Sequence, residues 1–334
     1  MCSRGSENST IEIAMPSDQN YFSGLLVTAY SLAKHAKKDA VLSFNILDGG
    51  ITDDSFSLLR ESICKVHANS SFRRFKINEQ DFSAFPDWKG NKMTYVRYLL
   101  PTFLKDCPFV IYADSDCLWL ADVAEIWNRR DKDVILQGVY DSYGEKTERP
   151  WFESRGLPFS ENKYFCNGLL LINLELFRGE RIIEQCTEFI KAHPDVQYAD
   201  QSAFNYVIDG RIELLPNYFN FFTREISQSA IRSPVVFHYA NDIPWRDQYL
   251  PAFYVPPYKH LWFKYYAEAS GKTIFGASRR YGYMHIGWIH SIVTYILPRS
   301  FARHILFGLM YLVGQRSAVN KLRRHAGRCG KILQ

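Results

Sequence analysis

Two aspartates, Asp114 and Asp116, stand one residue apart just after the apolar run Phe109–Ala113. That run reads as a buried strand. Side chains alternate faces in extended backbone, so both carboxylates point the same way. Paired carboxylates repel unless a cation lies between them. A hard divalent ion, Mg²⁺ or Mn²⁺, is the natural occupant, above all one shared with a phosphate-bearing substrate. The bare spacing is weak in a chain this long. A second copy, Asp131-Lys132-Asp133, has no apolar strand before it and carries a cation between its acids. It reads as a solvated loop.

Other polar residues stand at the ends of apolar segments in the same way. Asp18 and Asn20 follow a first strand, and Asp141 closes a strand over 134–139. Asn167-Gly168 leads into a buried strand, where the glycine lets backbone approach a ligand closely. Asp200 opens a helix over 201–207, as an N-cap or as a site residue. His238 ends a short apolar strand over 235–239, where a histidine is either structural or a ligand.

The elements that must position these residues alternate. Strands are expected over 10–14, 41–47 and 72–77, the second closing at Asp48-Gly49-Gly50. A helix over 21–35 follows the polar turn 17–20. Another over 53–66 shows helical spacing of Phe56, Leu59, Ile63 and Val66, and a third over 95–104 precedes the carboxylate strand. Such alternation gives an α/β fold with an open, mostly parallel sheet and helices on both faces. Ligands bind such sheets at the carboxyl ends of strands, so Asp18, Asn20, Asp114 and Asp116 fall on one rim. There is no Gly-x-Gly-x-x-Gly and no Walker-type Gly-Lys-Ser/Thr. Phosphate must therefore be met by metal and side chains.

With 334 residues, 47% apolar and 16% aromatic, the chain can bury a sizeable core and is neither disordered nor fibrous. Seven scattered cysteines form no Cys-x-x-Cys pair, which fits reduced thiols in a cytosolic protein. The polar first ten residues lead us to expect no secretory signal. Charge is uneven. After Glu268 no acidic residue occurs, while eleven of the 40 Lys and Arg do; residues 1–268 are left net acidic against 35 Asp and Glu.

Taken in order, several segments resemble the retaining family-8 glycosyltransferases, over about residues 10–250. They are Asp18-Gln19-Asn20-Tyr21, Leu47-Asp48-Gly49-Gly50-Ile51, Thr94-Tyr95-Val96-Arg97 and Tyr112-Ala113-Asp114-Ser115-Asp116, then the strand Gly168–Leu174. Asp200-Gln201, Leu215-Pro216-Asn217-Tyr218-Phe219-Asn220 and His238-Tyr239 with Pro244-Trp245 complete the set. The resemblance implies a GT-A fold, Rossmann-like, over 1–268 that binds a UDP-sugar. It implies that Asp114, Asp116 and His238 hold the metal, Mn²⁺ rather than Mg²⁺ because an imidazole joins the carboxylates. Asp18, Asn20 and Tyr21 would meet uracil and ribose, with Ser115 and Asn167 also on the donor. Arg97 and Asp141 would approach the donor sugar, and Asp200 and Gln201 its anomeric carbon. Retention then proceeds by a front-face route, because Gln201 is a poor nucleophile at the position a double displacement requires.

Two departures from the family pattern stand out. Its Phe-Asn-(small)-Gly appears as Phe165-Cys166-Asn167-Gly168, with the Asn displaced by one. The Lys it carries before Pro-Trp is absent at Asn241-Asp242-Ile243-Pro244-Trp245, and Arg246 is the candidate replacement for meeting the diphosphate.

The tail, 269–334, is basic and partly apolar, and is expected to be helical. Residues 281–298 carry no formal charge, but His, Gly, Ser and Thr dilute their hydrophobicity below that of a spanning helix. An interfacial anchor on an anionic membrane is favoured over a packed cap or a true span. No nucleic-acid motif is present. The expected protein moves galactose or glucose from a UDP-hexose donor to a glycan or glycolipid acceptor such as lipopolysaccharide, in the cytoplasm at the inner face of the plasma membrane. A catalytically silent GT-A module and a metal-dependent phosphohydrolase are the competing readings.

Overall fold

The computed structural model describes residues 10–83, 85–86, 92–222, 234–240, 243–245 and 259–273. The chain divides into two compact units, Met1–Ala240 and Asn241–Gln334.

In the first unit the strands and helices alternate from the start: β1 (Ile11–Ser17), α1 (Phe22–His35), β2 (Leu42–Asp48), α2 (Asp53–Val66), β3 (Ser70–Lys76). Every residue of β2 is buried, as a strand covered on both faces requires. Next come α3 (Leu100–Phe103), β4 (Phe109–Ala113), β5 (Cys117–Trp119), α4 (Ala124–Trp127), β6 (Leu136–Tyr140) and α5 (Ser142–Glu153). The unit closes with β7 (Phe165–Asn173), α6 (Leu174–Gly179), α7 (Ile182–Ala192), α8 (Asp200–Val207), β8 (Glu213–Leu215), β9 (Phe221–Phe222) and β10 (Val236–His238).

Seven strands form the main sheet in the order β3-β2-β1-β4-β7-β6-β8. Only β7 runs against its neighbours, antiparallel to both β4 and β6. The expected mostly parallel sheet is therefore present. β1 has β2 on one side and β4 on the other, so the strand order reverses there and a crevice opens at the carboxyl ends. The Ser115 hydroxyl donates to the Pro16 carbonyl across that point, tying the turn after β4 to the end of β1.

The expected helix over 95–104 is a 3₁₀ stretch, Met93–Leu99, followed by the single turn of α3. Pro101 explains the break. Its nitrogen cannot donate to the carbonyl four residues back, and its ring would crowd that carbonyl. The solvated reading of Asp131-Lys132-Asp133 holds, since all three residues are exposed.

A second sheet of three short strands, β5-β10-β9, contains the expected strand over 235–239 as β10, whereas β5 and β9 were too short for any sequence period to reveal. In it His238 pairs directly with Cys117. α1 braces β5 with two fully buried hydroxyls: Thr28 Oγ1 donates to the Cys117 carbonyl (2.7 Å), and Ser31 Oγ accepts from Trp119 N (3.0 Å).

The second unit contains α9 (Lys259–Ser270), which runs through the composition boundary at residue 268. Trp262 stacks between Trp245 (5.4 Å) and Tyr266 (5.2 Å). No helix among the described residues is long and apolar enough to cross a membrane. The anchor segment from residue 274 onward lies outside the described residues.

Asn205 on α8 completes β7. Its Oδ1 accepts from Phe165 N (2.8 Å), while its Nδ2 donates to the carbonyls of Phe165 (3.0 Å) and Gln201 (2.8 Å). Asn205→Leu strands both buried backbone groups of Phe165, at about 1–3 kcal/mol for each unsatisfied group. Urea denaturation should show a midpoint lowered accordingly; an unchanged midpoint would mean that the amide is dispensable.

Candidate active site

The carboxylate turn is organised by a buried arginine. Asp114 Oδ1 accepts from Tyr112 Oη (2.8 Å) and from Arg97 Nη2 (3.2 Å), and the guanidinium lies 4.6 Å from the Tyr112 ring centroid. On its other side Arg97 Nη1 donates to the Asn167 carbonyl (2.9 Å) and lies 3.1 Å from Asp200 Oδ2. Burial opposes the charge, but Asp200 and Asp114 outweigh it and hold Arg97 protonated, its pKa above the ordinary arginine value. One guanidinium thus joins the end of β4, the start of β7 and the start of α8.

Asp116 and His238 meet beside this arrangement, with His238 Nε2 3.2 Å from Asp116 Oδ1. Burial penalises the imidazolium, yet the adjacent Asp116 carboxylate raises the His238 pKa well above its usual value. Gly168 keeps the intervening space clear. A Cβ built on it would collide with His238 Cε1 and stand 2.9 Å from Nε2 and 3.0 Å from Asp114 Oδ2. His238 Nε2 and Asp114 Oδ2 face the gap that Gly168 leaves open, with Asp116 Oδ1 beside the imidazole. These donor types fit a divalent ion, although the ligand atoms that lie within 4.8 Å of one another are those of Asp116, Cys117 and His238, and Asp114 is not among them.

Asp200 is the first helical residue of α8, and Ala199 occupies the N-cap, so the expected alternative of a capping role does not apply. The Asp200 carboxylate is fully engaged: Oδ1 accepts from Thr94 Oγ1, and Oδ2 from Asn167 Nδ2 (3.1 Å) beside Arg97. Ala199, buried and non-glycine, has φ +44° and ψ −106°, a strained conformation of the kind found at functional sites. Gln201 Oε1 accepts from Asn167 N (3.2 Å), while Nε2 faces Tyr164 Oη (3.3 Å) and Asp141 Oδ2 (3.5 Å). Asp141 also caps α5 by accepting from Gly144 N (2.9 Å).

Asn167, Asp200, Gln201, Asp141, Arg97, Asp114, Asp116 and His238 therefore belong to one connected region. Ser115 sits within it, but its hydroxyl is committed to Pro16. Asp18 Oδ1 accepts from Tyr21 N (2.8 Å) in the turn into α1, and Asn20 is exposed on that rim. Arg246 lies outside the described residues. Sequence reasoning marked Gly168 as a point of close backbone approach but did not single out Tyr112, Tyr164, Thr94 or Glu148 as individual contributors. Tyr112 was legible as a polar group two residues before Asp114 on the same strand face. Glu148 had no signal, since an acid within a charged helix reads as solvated.

A reversing strand order with paired carboxylates at its crevice defines the GT-A class of glycosyltransferases, and solved structures agree. The galactosyltransferase LgtC in complex with donor and acceptor sugar analogues matches with TM-score 0.64 and 26% identity, over 79% of this chain and 96% of that one. The apo bifunctional glycosyltransferase WbbM matches in fold, with TM-score 0.68 at 17% identity over 83% of this chain and 53% of that one. This chain belongs to glycosyl transferase family 8, whose model matches residues 12–248. A putative glycosyltransferase of Haemophilus influenzae is 27% identical over 64% of this chain, and that match spans only 63% of the relative's own length. The lipopolysaccharide glucosyltransferase WaaO of Escherichia coli is 22% identical over 72% of this chain and 74% of its own.

Behind α8, the fully buried Glu148 accepts from Ser202 Oγ. Burial lifts its carboxyl from 4.5 to about 7, against the pull of Ser202 and the Gln197 amide. The folded state therefore holds this proton more tightly than the unfolded one. The resulting stabilisation is complete below the unfolded value and is lost as pH rises through about 7. Glu148→Gln should remove that dependence. Relative to the variant, the parent should lose about 2–3 kcal/mol between pH 5 and pH 8 in urea denaturation; parallel pH profiles for the two proteins would contradict the assignment.

Proposed function

We propose that this chain is a metal-dependent, retaining hexosyltransferase that moves galactose or glucose from a UDP-sugar to a glycan or glycolipid acceptor such as lipopolysaccharide. The observation that carries the reading is the gathering of Asp114 Oδ2 and His238 Nε2 around Gly168, with Asp116 Oδ1 3.2 Å from that nitrogen. Asp114, Asp116 and His238 are the groups that hold the ion, Mn²⁺ by their donor types, with Mg²⁺ an alternative. When bound, that ion neutralises negative charge on the departing diphosphate.

The chain's own groups do the rest by position and field. Asp18, Asn20 and Tyr21, with the main chain at Ser115, stand at the nucleoside end of the crevice. Arg97 and Asp141 approach the donor sugar, and Asn167 joins them through Asp200 and Gln201. Asp200 spends both oxygens on Thr94, Arg97 and Asn167. A carboxylate so engaged is a weak nucleophile. Gln201 is an amide held at both ends. The pair therefore supports a front-face substitution, in which the leaving phosphate takes the acceptor proton while Asp200 and Gln201 stabilise positive charge at the anomeric carbon. Arg246 would add a cation near the diphosphate.

UDP-Gal, UDP-Glc, UDP-GlcNAc and UDP-GalNAc, each incubated with Mn²⁺ or Mg²⁺, are expected to release UDP from at least one hexose donor. EDTA should stop the release, and Asp116→Asn should lower it by about a hundredfold or more. The product anomer, read by ¹H NMR, should keep the donor's α configuration. Absence of UDP release from every donor would favour a silent binding module.

The basic tail, 269–334, is proposed to rest on an anionic membrane, placing the catalytic unit in the cytoplasm at the inner face of the plasma membrane. Its Lys and Arg and the absence of acids after Glu268 support this, at about 1 kcal/mol per basic residue near the surface. Removing residues 274–334 should abolish sedimentation with phosphatidylglycerol vesicles and spare UDP release. Equal sedimentation with and without the tail would overturn the anchor.

A further inference from the structure

One thiol beside the carboxylate turn has no place in the proposed reaction. Cys117 Sγ, an Asp116 carboxylate oxygen and a His238 ring nitrogen all lie within 4.8 Å of one another. Cys117 and His238 are direct cross-strand partners on β5 and β10, and both are buried, whereas Asp116 is partly open. The thiol is free and makes a long contact of 3.8 Å to the Gly168 carbonyl. His238 Nδ1 is buried and makes no hydrogen bond. Thr28 and Ser31 of α1 fix the strand that carries Cys117.

We infer that Asp116, Cys117 and His238 form a second metal position, selective for a borderline-soft divalent ion such as Zn²⁺. Oxygen, nitrogen and sulfur donors together match zinc-type sites, and a thiolate discriminates against Mg²⁺ and Mn²⁺, which favour oxygen. This set omits Asp114, the carboxylate held by Arg97 and Tyr112. It shares Asp116 and His238 with the hard-ion position, so the two cannot be filled independently. On binding, Cys117 and the His238 imidazolium each give a proton to solvent, Zn–S and Zn–N bonds form with Asp116 as the oxygen ligand, and water entering from the open Asp116 side supplies the fourth ligand. No electron transfer is involved. Zinc held this way takes two of the three groups that the donor-bound ion needs, and so acts as an inhibitor. Only that inhibitory consequence rests on the proposed glycosyl transfer; the binding itself does not.

The test uses the full chain without nucleotide. Titration with Co²⁺ should produce the intense near-ultraviolet absorption of a thiolate–cobalt bond. Cys117→Ser should abolish it, and Cys166→Ser, the neighbouring thiol, should leave it. Zinc affinity, measured against a chromophoric chelator, should fall by about tenfold or more in Cys117→Ser. Cys117→Ala should behave alike, with unfolding midpoints showing that both variants are folded. In the transfer assay, Zn²⁺ should inhibit the parent at lower concentration than it inhibits Cys117→Ser. A cobalt complex without the thiolate band, a band lost instead in Cys166→Ser, or equal zinc affinity in parent and Cys117→Ser would each overturn the proposal. These binding results stand even where no donor releases UDP, so failure of this site and failure of the transferase reading are separable.

Discussion

A single buried guanidinium holds the centre of this protein together. Arg97 lies between Asp114 and Asp200, donates to the Asn167 carbonyl, and packs on the Tyr112 ring. Removing one partner from such a set leaves an uncompensated buried charge, which costs several kcal/mol. Lysine is no substitute, because a point charge cannot address two carboxylates and a carbonyl from one planar fork. The contact also joins segments far apart in the chain: the 3₁₀ stretch Met93–Leu99, the turn after β4, the start of β7 and the first turn of α8. Position and charge in the site are set by one side chain.

The sheet explains why those segments meet. Parallel strands bring the ends of β1 and β4 to the crevice where the order reverses. β7 comes in the opposite direction, so Asn167 and Gly168 near its beginning lie beside Asp114 at the end of β4; the Asp114 amide donates to the Gly168 carbonyl (2.8 Å). A parallel β7 would have delivered its last residues there. The small β5-β10-β9 sheet then adds His238 from about 120 residues further along the chain.

Much of this was legible before any coordinates. The apolar run ending in Asp114-Ser115-Asp116 gave the central strand and its carboxylates, and the alternation up to residue 113 gave the sheet class and the rim. Asp200, Asn167 and His238 were readable as polar residues at element ends. Other features were hidden for physical reasons. β5 and β9 are three and two residues long and leave no period to detect. Gly168 was readable as a point of close backbone approach, but the groups that require it bare, His238 and Asp114, are evident only in the fold. The Ser115 hydroxyl also donates to the Pro16 carbonyl, a partner 99 residues away that no local pattern signals. Ala199 carries backbone strain that no residue type announces.

The bracing of β5 by α1 has a mechanical side. The turn Asp18–Tyr21 opens that helix, while Thr28 and Ser31, two to three turns along it, grip the strand that follows Asp116. A rigid rod links the two extremities of the crevice. Tilting α1 at the Asp18 end would drag the carboxylates at the other, so the distance between Asp18 and Asp116 behaves as a fixed ruler, and adaptation within the cleft must come from the α5 and α8 side.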